Sequence, residues 1–152
     1  MRSVLRDFSI FLLGGLSGLF GGLWPHIQKP LTDYRQTLRD ISELMLRSVD
    51  LIHGDPPRTD RTVRAEIHNE PLIKFDDDIR VLHARLISSV ESIPRFARPV
   101  LRLLGLLRTP DQIKLGAQML IGISNQVLSA RKDKPYLTTL IKRLGAALDV
   151  TV

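Results

Sequence analysis

The chain has no cysteine, which excludes disulfide bonds, thiol nucleophiles and thiolate metal ligands. Histidine is scarce too. His26, His53, His68 and His83 never stand four residues apart, so they lack the spacing of a zinc set. Glu66, His68 and Glu70 would share a face only in an extended strand, and that stretch has no strand pattern. Asp76, Asp77 and Asp78 lack calcium-loop spacing, and acids placed early in a helix account for them without an ion. No serine sits in a nucleophile elbow, and the one glycine-rich stretch is hydrophobic and lacks the Lys-Ser/Thr ending of a phosphate loop. Neither catalysis nor a cofactor or metal is expected. Alternating apolar and polar residues are nearly missing as well, which points to an all-α fold.

What the chain does have is residues 8–24, FSIFLLGGLSGLFGGLW, without a single charge. At ~1.5 Å rise per residue this run reaches about 25 Å as a helix, the short end of a membrane span; Val4 and Leu5 lengthen it. No small-x-small cleavage site follows, so the reading is a retained anchor over residues 1–25. Gly14, Gly18 and Gly22 recur every fourth residue and share a helix face, with Ser17 and Gly21 repeating the spacing beside them. Small residues at this spacing let two backbones approach closely, so this stripe is the expected self-association face of the span. Trp24 before Pro25 suits an interfacial anchor.

Charge is unevenly spread over residues 26–152, the expected helical domain. Residues 25–94 carry 10 basic and 12 acidic side chains, a net −2, whereas residues 95–152 carry 10 and 3, a net +7. Lys29, Arg35 and Arg39 follow the span and Arg2 and Arg6 precede it, which favours a cytoplasmic domain. The basic half suits anionic lipid or an acidic protein surface better than nucleic acid for a tethered protein.

Helical periodicity predicts about four main helices in a bundle. The first begins near Leu31, after a break at Pro30, and runs to His53-Gly54 on a stripe of Leu31, Tyr34, Leu38, Ile41, Met45 and Ile52, with Ser48 the polar interruption. Residues 58–71 have little apolar spacing and read as solvated or irregular. The next helix runs from about residue 72 to 92 with Pro71 in its first turn, or restarts at the three aspartates. A short amphipathic helix then places Val100, Leu103, Leu104 and Leu107 on one side and Arg95, Arg98 and Arg102 on another. Those arginines are the expected membrane-surface contacts. Thr109-Pro110-Asp111-Gln112 has the form of a capping box, and Asp133-Lys134-Pro135 opens the last helix. In Ser124-Asn125-Gln126, which interrupts an apolar helix, Asn125 is expected to be a structural buried polar residue.

Ile93-Pro94, Leu103-Leu104-Gly105-Leu106-Leu107, the run from Leu120 to Gln126 (LIGISNQ) and Ile141-Lys142-Arg143-Leu144-Gly145 resemble a group of short uncharacterised bacterial proteins. These have one N-terminal hydrophobic span and "IP…LLGL" and "LIGLSN" segments in a helical domain. Here Ile123 replaces the usual Leu, and Gln126 the usual Ser. The resemblance covers roughly residues 1–30 and 93–148. It implies a single-pass protein of the bacterial inner membrane and brings no activity with it. The expectation is a membrane-anchored helical adaptor, homo-oligomeric through its span, that engages lipid and a protein partner. The alternative is a small membrane-active or pore-type effector of a phage or defence context, for which Ser9 and Ser17 are the only polar lining available.

Overall fold

The computed structural model describes the backbone of residues 2–53, 63–129 and 133–151, and the side chains of residues 21–52, 70–129 and 133–151. Six helices and no strand occur among them: α1 (Arg2–Arg47), α2 (Val49–His53), α3 (Val63–Ser92), α4 (Ala97–Leu103), α5 (Pro110–Leu128) and α6 (Lys134–Leu148). The glycine stripe and the charge-free run lie largely in the part of α1 whose side chains are outside the described residues. Among the described residues no helix is long and apolar enough to cross a membrane.

The expected break at Pro30 does not occur. α1 passes through both Pro25 and Pro30 as one helix of 46 residues. Each proline lacks an N–H, so the carbonyls of Gly21 and His26 lose their helical donors. The helix nevertheless continues, because Ile27, Leu31 and Tyr34 are buried on one stripe. Fully burying a large apolar side chain contributes about 1.5–3 kcal/mol, so three of them, roughly 4.5–9 kcal/mol together, offset two proline defects of roughly 3 kcal/mol each. The same stripe continues through Thr37, Ile41, Leu44 and Met45 to Ser48, a one-residue turn, and then to Ile52 on α2. A helical hydrogen bond crosses that turn, from Ile52 N–H to the Ser48 carbonyl at 2.9 Å.

α3 likewise starts earlier than the sequence suggests, and Pro71 lies inside it. The burial of Leu72, Phe75, Ile79, Leu82, Leu86 and Ile93 explains why the helix holds on its C-terminal side. The three aspartates sit in mid-helix, so they mark no restart. Glu66, His68 and Glu70 are helical in backbone, which keeps them from sharing one face.

α5 begins as expected. Thr109 Oγ1 accepts from the Gln112 N–H at 3.3 Å, and Gln112 Oε1 accepts from the Thr109 N–H at 3.0 Å, completing the capping box. Asp133 caps α6 by accepting from the Tyr136 N–H at 3.0 Å.

α3 packs on both α1 and α5, and α5 packs on both α3 and α6. Neighbours run antiparallel. The guanidinium of Arg85 lies 3.7 Å from Asp40, and Ser88, Ser89 and Ser92 share a groove with Asp33, Gln36 and Thr37. Gly116 faces Leu148 and Gly122 faces Leu140 across the α5–α6 seam. Ser42 donates to the Thr151 carbonyl, which brings the C-terminal end back onto α1.

The end of the bundle nearest residue 27 therefore holds the C-terminal end of α3, all of α4, and the start of α5. α4 stops in a Schellman motif: Leu106 N–H donates to the Leu101 carbonyl at 2.8 Å and Gly105 N–H to the Arg102 carbonyl at 3.0 Å. Gly105 takes φ of +68° there, a conformation that a side chain would strain.

Candidate functional site

The residues expected at a site fall into three places. Gly22 is exposed, and a Cβ built on it would meet nothing within 4 Å, so that end of the stripe is open. Gly14 and Gly18 belong to the same helix, with side-chain surroundings outside the described residues. Arg95, Arg98 and Arg102 gather on and before α4. Asn125 is exposed, which corrects the expectation of a buried amide. One residue is 100° of helix rotation, and the buried position is Ser124.

Ser124 belongs to a small polar cluster that the sequence did not announce. Its hydroxyl donates to Oδ1 of Asp76 on α3, while Arg80 Nε donates to Oδ2 at 2.9 Å. The Asp76 side chain is only 14% exposed. Burial pushes its carboxyl upward, but the Arg80 and Ser124 hydrogen bonds and the Arg80 charge outweigh that and hold it below the usual carboxylate range. The available signal was an acid within the apolar stripe of Leu72, Phe75 and Ile79. This cluster ties α3 to α5 and has the composition of a structural link.

A pH dependence follows from it. The folded state holds Asp76 at a lowered pKa, so its stabilisation is complete above the carboxylate's unfolded value and is lost as pH falls through the folded one. Ser124→Ala should cost about 1.5 kcal/mol near neutrality, as for a hydrogen bond to a charged group. It should also narrow the gap in urea midpoint between neutral and acid pH. An unchanged gap would show that Arg80 alone holds the carboxylate.

Around α4 the arrangement differs from the expectation. The buried face is Ala97 and Leu101, followed by Leu107. Phe96, Val100, Leu103 and Leu104 point outward, at 60%, 46%, 88% and 62% exposure. Arg98 is committed inward: its guanidinium donates to the Ile93 and Glu91 carbonyls at 2.9 Å each and so closes the C-terminal end of α3. Arg95 is exposed, and Arg102 is half-buried with an Nε that makes no hydrogen bond within the protein.

Beside Arg98 and Arg102 a groove of about 690 Å³ runs between α3, α4 and α5. Ile87, Val90, Ile113, Ala117 and Ile121 form its floor, and His83, Glu91, Lys114 and Gln118 its rim. No group of acids and histidines able to hold a metal occurs among the described residues. No family model, curated protein or solved structure matches the chain, so the reading of these places rests on their own geometry.

Proposed function

We propose that the chain is a membrane-anchored helical interaction protein. Residues 8–24 span the bacterial inner membrane once, residues 26–152 lie on its cytoplasmic side, and two or more copies pair through Gly14, Gly18 and Gly22. The observation that carries this reading is the continuity of α1. Its charge-free run leads, without a linker, into the buried stripe of Ile27, Leu31 and Tyr34. A partner would be met by the folded domain while the span supplies location and self-association.

Alkaline carbonate should leave the intact chain in the membrane pellet, and removal of residues 1–20 should release it. Extraction of the intact chain by carbonate would overturn the anchor. Pairing is tested by crosslinking in the membrane. Gly18→Leu should weaken it, because a side chain there holds the backbones apart. Gly15→Leu, about 100° round the helix from Gly14, should weaken it less. Equal crosslinking in both variants and the unaltered chain would leave the tether and remove the pairing.

A further inference from the structure

We propose that the outward face of α4 is a lipid-contacting surface, on which Phe96, Val100, Leu103 and Leu104 enter the headgroup layer of an anionic bilayer beside the exit of α1. The inference rests on the anchored reading of α1 and adds a second contact with the same membrane.

The spacing of these residues is the first reason. Positions 96, 100, 103 and 104 make a single helical stripe, and Pro99 extends it. An apolar stripe on a surface helix ordinarily faces the core. Here the core is supplied by Ala97 and Leu101, roughly 100° round the helix from the stripe, and the larger apolar set is left outside. Other exposed apolar residues, such as Ile73, Val81 and Leu115, are scattered and need no explanation.

Position is the second reason. α3 runs antiparallel to α1 and ends level with Asp33, and α4 follows it after four residues. α4 thus lies at the end of the bundle where α1 goes on through Ile27 to the half-exposed Trp24. A bilayer holding residues 8–24 meets that end first.

Charge selects the occupant. Residues 95–108 contain four arginines and no acid, and of the four Arg108 pairs with Asp149. A second copy docking face to face through α4 would oppose like charges, whereas anionic phosphates complement them. Arg95 is exposed and stands ready for phosphate, whereas Arg98 is consumed by its internal cap and the Nε of Arg102 is buried beside the groove.

The lack of native cysteine allows a clean test. Single substitutions Leu103→Cys, Leu46→Cys and Leu16→Cys in the full chain are spin-labelled and reconstituted in phosphatidylglycerol-rich and in purely phosphatidylcholine vesicles. Each label is read by its relaxation with oxygen, which concentrates in lipid, and with a water-soluble nickel chelate. The label at 103 should be several-fold richer in oxygen than in nickel collisions relative to the label at 46, most strongly in the anionic vesicles. Arg95→Glu in the same background should reduce that ratio. A label at 103 as aqueous as the one at 46, with the label at 16 deep in lipid, would overturn the α4 surface and spare the anchor. An aqueous label at 16 would overturn the anchor itself. Spin–spin broadening at 103 without oxygen enrichment would instead make α4 a contact between copies, and would overturn the proposal.

Discussion

Leu120→Ala should destabilise the domain by about 2–5 kcal/mol, the range for truncating a fully buried leucine with only partial collapse around it. Leu120 has no exposed surface and sits on α5, the helix that packs against both α3 and α6. The cavity therefore opens inside the bundle, where α3 cannot close onto it without loosening its packing against α1. Chemical denaturation of the full chain in detergent measures the loss. Leu103→Ala is the control, because Leu103 is 88% exposed and its truncation should leave stability nearly unchanged. Equal losses for both leucines would mean that α4 is packed rather than outward-facing.

The second large effect should come from adding atoms. A Cβ on Gly116 would lie 2.5 Å from Cδ2 and 2.6 Å from Cγ of Leu148. Cγ is not the free end of a side chain, and Leu148 is completely buried, so it has no direction in which to withdraw. Gly116→Val should cost about 3 kcal/mol, the upper range for overpacking, despite the helical gain of losing a glycine. At Gly122 the nearest atom is Leu140 Cδ1 at 3.3 Å, the tip of a side chain. Gly122→Ala should therefore lie within about 1 kcal/mol of the unaltered chain, since roughly that much helix propensity offsets a small shift. Thermal melts of the two variants rank them. A neutral Gly116→Val would show that α6 slides along α5 at little cost.

Features set by neighbouring residues were legible in the sequence. The Thr109–Gln112 capping box and the Asp133 cap depend on residues within one turn, and the buried faces of α3 and α5 follow from long periodic stripes. The prolines were misread for the opposite reason. Pro25, Pro30 and Pro71 disfavour a helix locally, and it is burial in the finished bundle that carries the helices through them or away from them. The phase read for α4, with Val100, Leu103, Leu104 and Leu107 on one side, missed its buried face of Ala97 and Leu101. Leucine occupies positions 101, 103, 104, 106 and 107, so pattern alone does not say which side is inside. The error at Asn125 was one of phase, and the Asp76 contact that selects Ser124 comes from 48 residues away in the chain.

The passage of α1 through its two prolines also separates two kinds of movement. Two missing hydrogen bonds five residues apart make a helix easier to bend at that point, yet they leave its winding intact. Seated in a bilayer, as proposed, the segment would tilt to suit the thickness around it without dragging the bundle along. Rotation is different, because turning the upper part about its axis turns Ile27 and Leu31 with it, and these are gripped by the core. If copies pair through one face of the upper segment, as proposed, that face would set the compass bearing of the domains below, and every copy would present its groove and its α4 in the same direction relative to that pair.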